Sequence, residues 1–283
     1  GDLAVRLSEV GDREGALAPA REAVEIRREL AAENPETFRP NLASSLNNLA
    51  IRLSEMGDRG GALALAREAA EIRRELAAKN PDAFRPDLAG SLNNLANHLS
   101  EMGDRQGALV PAGEAVDIRR ELAAKNPDAF LPNLAGSLNN LANHLSAIGN
   151  REGALAPAGE AVDIYRELAA ENPDAFRPNL AMSLNNLATR LNEMGDREGA
   201  LVPAREAVEI RRELTAKNSD TFRPNLASSL KNLANHLSEM GDRKGALAPA
   251  REAVDIYRQL AAKNPDAFRS DLASSLNNLA NHL

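Results

Sequence analysis

The side chains with chemistry to offer recur at one spacing. His98, His144, His236 and His282 stand at the same place in a 46-residue register, and Arg6, Arg52 and Arg190 hold that place elsewhere. A metal ion takes neutral imidazoles, and a guanidinium has no lone pair to offer it. The exchange of His with Arg therefore argues for packing or a hydrogen bond between neighbouring helices, not for a metal centre. No HExxH, Gly-rich phosphate loop or Ser/His/Asp grouping stands apart from the register. The chain has no Cys, which removes thiolate nucleophiles, Cys-ligated metals and disulfides. The reading is no enzyme, no cofactor and no metal.

What recurs instead is carboxamide. The stretch over 41–50 returns over 87–96, 133–142, 179–188, 225–234 and 271–280, and each copy carries Asn-Asn except Lys231-Asn232. Asn is a poor residue for a helix interior, so its recurrence needs a reason. A side-chain amide offers two donors and an acceptor, enough to grip a peptide group from both sides whatever side chain that peptide carries.

The elements that position these amides follow from the register. Leu42, Leu46, Leu49, Leu53 and Met56 advance by four, three, four and three, the stripe of one helical face. Pro40 suits a first turn and Gly57 a left-handed end, giving a helix A over about 40–56. Asp58 caps a helix B over about 59–79, whose wide face of Ala62, Leu63, Ala66, Ala69, Ala70, Ile72, Leu76 and Ala77 fits contact with helices on two sides. Asn80-Pro81 ends it. All six Phe fall in the connector before the next helix A, where they are expected to plug the seam, with a row of exposed aromatic contacts as the alternative. Pro19, Pro111, Pro157, Pro203 and Pro249 lie early in helix B, each four residues after a Gly, which predicts a bend there and less of one where Leu65 stands. The units read as a partial repeat 1–11 and repeats over about 12–57, 58–103, 104–149, 150–195, 196–241 and 242–283, the last truncated. Both ends fall inside a repeat and read as cuts through a longer chain.

With the Leu stripe turned toward helix B, 100° steps put Ser44, Asn47, Ile51, Ser54 and Glu55 on the opposite side. The binding residues expected from this are Asn47, Asn93, Asn139, Asn185 and Asn277 with Lys231, and a second row of Asn97, Asn143 and Asn235, which Asn281 continues. The second Asn of each pair (Asn48, Asn94, Asn140, Asn186, Asn232 and Asn278) is expected to tie neighbouring helices or the connector. Glu55, Glu101, Glu193 and Glu239 edge this face, so a neutral or basic protein segment is the expected partner. Alternating Arg and Glu on helix B, such as Arg67 with Glu71, reads as a solvated outer face.

Composition narrows the classes further. Of the residues, 43% are hydrophobic but only 3% aromatic, which suits closely packed small residues. A net charge of -7 disfavours nucleic acid, where phosphate neutralisation supplies most of the affinity. No apolar run approaches a membrane span, and a cytoplasmic setting is the expectation.

Leu49-Ala50, Gly57-Asp58, Ala62 and Ala69 resemble the tetratricopeptide repeat, with Leu46, Leu53 and Ala66 where that pattern usually has aromatics. Leu-Asn-Asn-Leu-Ala, the helix-B Pro and Ala-Val-Glu-Ile-Arg-Arg are closer to the long repeats of kinesin light chains. The resemblance implies an all-α, right-handed superhelical solenoid of helix hairpins whose helices A line a concave groove. It also implies an Asn ladder for peptide binding at Asn47, Asn93, Asn139, Asn185 and Asn277. The carboxylate clamp found in some such proteins needs several Lys and Arg on that wall, and only Lys231 is there. The rival reading is a structural spacer, or a module that self-associates through its terminal repeats.

Overall fold

The computed structural model describes residues 13–283, so the expected partial repeat 1–11, with Arg6, lies outside the described residues. Those residues form twelve helices and no strand. In order they are α1 (Arg13–Glu33), α2 (Pro35–Glu55), α3 (Arg59–Lys79), α4 (Pro81–Glu101), α5 (Leu109–Lys125), α6 (Pro127–Ala147), α7 (Arg151–Glu171), α8 (Pro173–Glu193), α9 (Arg197–Lys217), α10 (Ser219–Glu239), α11 (Arg243–Lys263) and α12 (Pro265–His282). Even-numbered helices are the helices A of the sequence and odd-numbered ones the helices B. The chain divides into two compact units, 1–148 and 149–283.

Helix A begins earlier than its sequence suggests. Asn34, extended at φ -137° and ψ 84°, accepts a hydrogen bond from the Thr37 N–H, and Pro35 takes the first helical position. Asn80, Asn126, Asn172, Asn218 and Asn264 cap the later copies in the same way. The expected start at Pro40 is thus corrected. An Asn-Pro pair supplies both the side-chain acceptor and the preset φ, so the whole connector winds into the first turn and only the Asn stays outside. Phe38, Phe84, Phe130 and Phe268 therefore point from a helical turn, half-buried against the hydrophobic cores. This agrees with their role as plugs.

The other end follows the sequence reading. Gly57, Gly103, Gly149, Gly195 and Gly241 lie at φ between 83° and 91°, a conformation only Gly adopts without strain. The next residue caps helix B, as Asp58 does by accepting from the Gly61 N–H at 2.9 Å. A Cβ on Gly199 would stand 2.1 Å from the Asp196 carboxylate, so the Gly gives this cap its room. Four of the five proline-bearing helices B run 21 residues, as long as α3 with its Leu65. In α5 the first turn loosens, and the Leu109 N–H bonds the Gln106 carbonyl three residues back.

In unit 1–148, Leu46, Leu92 and Leu138 are fully buried among Ala43, Ala50, Ala62, Ala66, Ala89 and Ala112. In unit 149–283, Leu184 and Leu230 take the same part with Ala181, Ala188, Ala204 and Ala227. Each Leu contributes about 1.5–3 kcal/mol by leaving water. The alanines let the helix axes approach closely enough for the flanks of neighbouring helices A to touch.

Candidate binding face of helices A

The buried arc of helix A is centred on Leu46 and its equivalents, which places each later side chain by rotation. Position 47 lies 100° to one side and position 45 lies 100° to the other. These flanks meet in the stack. Asn47 Nδ2 donates to Ser91 Oγ at 2.8 Å, Asn93 Nδ2 to Ser137 Oγ at 2.7 Å and Asn185 Nδ2 to Ser229 Oγ at 2.8 Å. Asn93 and Asn139 are buried, and Asn47 and Asn185 are half-buried. The Oδ1 atoms of Asn47, Asn93 and Asn185 are enclosed without a partner. A two-handed grip on a partner's main chain needs the amide nitrogen, and in these three residues it already ties one helix A to the next. Asn277, on the last helix, is exposed, and Lys231 is half-buried. Where Lys231 replaces Asn, the Ser275 hydroxyl is buried with no partner.

Position 48 lies 200° round and faces solvent. Asn48 is exposed, Asn94, Asn140, Asn232 and Asn278 are half-buried, and none of the five makes a side-chain hydrogen bond within the described chain. For Asn47 with Asn48 and Asn93 with Asn94 the tying and the free member of the pair are the reverse of the expectation, whereas Asn186 is itself engaged. A single residue turns a helix by more than the width of the boundary between flank and open face, so the two neighbours swap roles. The second row is expected to offer binding amides. Asn143 is exposed, Asn97 and Asn235 are half-buried, and all three amides are unengaged. The open face of unit 1–148 thus carries Asn48, Asn94, Asn97, Asn140 and Asn143. That of unit 149–283 carries Asn232, Asn235, Asn278 and Asn281.

The histidines sit on the flank with the serines. His98, His144, His236 and His282 are buried. His98 Nδ1 lies 3.2 Å from Glu101 Oε2, and the same carboxylate accepts the Ser54 hydroxyl from α2. Burial raises the Glu101 pKa, but the bonds from Ser54 and His98 outweigh it and hold the group below its usual value. Arg52 with Glu55 and Arg190 with Glu193 repeat the pairing. In α6 the acid is replaced by Ala147, and burial alone pushes the His144 pKa down. His236 is also pushed down by burial, against the charge of Glu239. Among the described residues no three His, Asp or Glu converge as a metal site would require, and no helix is long and apolar enough to cross a membrane.

The tetratricopeptide repeat model matches residues 1–36, 42–82, 88–128, 134–174, 180–218 and 226–266. Among solved structures, BtubC (BKLC) from P. vanneervenii is 26% identical, with 89% of this chain and 92% of that chain covered and a TM-score of 0.70. A putative kinesin light chain from Podosopora anserina with nearly identical TPR-like repeats is 21% identical over 79% of this chain and 98% of that one, at a TM-score of 0.62. The apo form of RapI is 14% identical over 98% and 92%, at a TM-score of 0.60. A comparison with curated protein sequences finds no match.

Proposed function

We propose that this chain, which belongs to the tetratricopeptide repeat family, is a scaffold that holds an extended segment of a partner protein along the open face of its helices A. One observation carries the reading. The amides of Asn97, Asn143 and Asn235 lie at or near the surface of three repeats, Thr189 holding that place in the repeat between the last two, with no partner in the described chain. A free amide on a helix costs propensity and returns nothing to the fold, whereas one facing a bound peptide closes hydrogen bonds to its main chain. Asn48, Asn94, Asn140 and Asn232 add a parallel row. Of the first-row residues, Asn277 and Lys231 remain as contacts, while Asn47, Asn93 and Asn185 act from behind by fixing the spacing of the helices and Asn139 is buried.

Glu55, Glu101 and Glu239 are exposed at one end of this face and favour a neutral or basic segment there. Nucleic acid is disfavoured by the net charge of -7, and a cytoplasmic setting is part of the proposal. The test is a titration of unstructured peptides against the wild-type chain and an Asn97→Ala/Asn143→Ala/Asn235→Ala variant. A loss of at least about 10-fold in affinity is expected, since three main-chain hydrogen bonds at about 0.5–1.5 kcal/mol each are removed. Equal binding by both proteins sinks the reading.

A second reading, a spacer or self-associating module, is favoured by the Asn–Ser ties, which make the first row structural. A chain that binds no peptide while sedimenting as an oligomer would establish it in place of the first.

A further inference from the structure

Helices α3, α9 and α11 each send one long side chain to a neighbouring helix A. From α3 this is Arg73, whose guanidinium donates to Ser44 Oγ of α2 at 2.7 Å and pairs with Asp87 of α4. The Arg73 side chain is only 6% exposed, and Asp87 gives this buried cation its counter-charge. In α11 the place is taken by Tyr257, which is neutral and donates to the Pro224 carbonyl at 3.4 Å. Arg27 keeps a half-buried guanidinium on the Asn41 carbonyl at 2.8 Å.

Arg211 of α9 fits neither arrangement. It is 7% exposed, yet its Nη2 finds only the Pro178 carbonyl of α8, at 2.9 Å, and its Nε, like that of Arg73, is enclosed with no partner. The register places that give Arg73 its hydroxyl and its carboxylate are here Met182 and Asn225. Neither carries charge, and among the described residues no carboxylate forms an ion pair with Arg211. A buried charge without a counter-ion is strongly unfavourable. Met182 is 44% exposed and Asn225 is also exposed, so the approach from solvent runs between two surface side chains and not through packed core.

We propose that Arg211 is an anion-binding point in the seam between α8 and α10, filled by a single carboxylate of the bound partner segment, in the place that Asp87 fills from within the chain beside Arg73. The inference rests on the scaffold reading above and sharpens it. The segment is neutral or basic along the Glu-edged end of the face and carries one Asp or Glu where it crosses α8 and α10. Burial lowers the Arg211 pKa with nothing opposing it, whereas Asp87 opposes the same effect at Arg73.

The test uses acetyl-Asp-N-methylamide as the anion and acetyl-Asn-N-methylamide as its neutral twin, at matched ionic strength, on wild type, Asn225→Asp and Arg211→Met. Asn225→Asp installs the internal carboxylate with almost no change of shape, so it keeps the test sound even where Arg211→Met folds poorly. The Asp compound is expected to raise the wild-type melting midpoint by about 2 °C or more while the Asn compound does not. Asn225→Asp is expected to melt higher than wild type without any ligand and to lose its response to the Asp compound. An unresponsive wild type, or equal responses from wild type and Asn225→Asp, overturns the proposal. Acidic and neutral peptides that bind equally to both proteins would overturn the anion point and leave the scaffold reading standing. A wild-type response to the Asp compound with no peptide binding at all would do the reverse.

Discussion

The chain joins its repeats by two seams of opposite chemistry. Between successive helices A the Asn–Ser ties are neutral and enclosed, as in Asn93 to Ser137 at 2.7 Å, with Ser54 to Glu101 and Asn192 to Glu239 added at the exposed helix ends. Between successive helices B they are ionic and open to solvent: Arg28 with Glu68 at 2.5 Å and Arg74 with Glu114 at 2.6 Å in the first unit, Arg166 with Glu206 at 2.9 Å and Arg212 with Glu252 at 2.6 Å in the second. The outer pairs sit in water, where Coulomb attraction is screened and long side chains lose entropy to meet. The inner bonds sit out of water, where an unmade partner is costly. The A seam therefore sets the spacing of repeats firmly, and the B seam adjusts it weakly.

The largest expected consequence is on the inner side. Asn93→Ala removes one of the two donors to the Ser137 hydroxyl, the other being Arg119, breaks the tie between the two helices and leaves a gap beside it. It is expected to cost about 1–3 kcal/mol, read as a lower urea midpoint at unchanged slope and unchanged by added salt. A cost that fades in salt would mean that the two seams do not differ in kind.

Lys231 offers the converse. It breaks the Asn–Ser series and leaves the Ser275 hydroxyl enclosed without a partner. Lys231→Asn is expected to restore the tie and to raise stability by about 0.5–1.5 kcal/mol in the same assay. A neutral or destabilising outcome would show that α10 and α12 do not meet as the other helices A do.

Much of this was legible from the residues. The period, the Leu stripe, the left-handed Gly and the Asp cap each rest on a local rule, and the structure follows them. Two things were not. Pro35 and Pro40 both suit a helix start, and only the Asn34 side chain decides between them. The roles of Asn47 and Asn48 depend on which flank of the helix meets the neighbour, and the partner Ser91 is 44 residues away in sequence. Arg211 was invisible for the same reason. Its lack of a counter-charge shows only when Asn225 is known to occupy the place of Asp87.

Acid is expected to act on the inner seam next. His144 and His236 have pKa values lowered by burial, so the unfolded chain binds protons more readily than the folded one. Stability is then complete above the unfolded value of about 6.5 and declines as pH falls toward the lowered folded values. The lowered Glu101 acts in the same direction at more acid pH, its contribution being present above its ordinary value and lost below. Urea midpoints measured from pH 7.5 down to 5 should fall, and His144→Gln/His236→Gln should flatten the fall. An unchanged slope in that variant would assign the acid response to other groups.

The smallest effect is expected on the outer side. The side chains of Arg74 and Glu114 are 52% and 36% exposed, and the pair crosses from one helix B to the next with no enclosed group depending on it. Glu114→Gln keeps the shape and removes the charge. Exposed pairs of this kind measure about 0–1 kcal/mol, and the Debye length shrinks to about 3 Å at 1 M salt. The variant should therefore differ from wild type by at most that amount in dilute buffer and not at all in 1 M salt, where Asn93→Ala keeps its full deficit. Glu114 lies in a cleft between helices B floored by Ala77, Leu88 and Ile118, so a salt-resistant loss in Glu114→Gln would mean that the carboxylate holds this cleft shut, and the division between a firm inner seam and a yielding outer one would have to be redrawn.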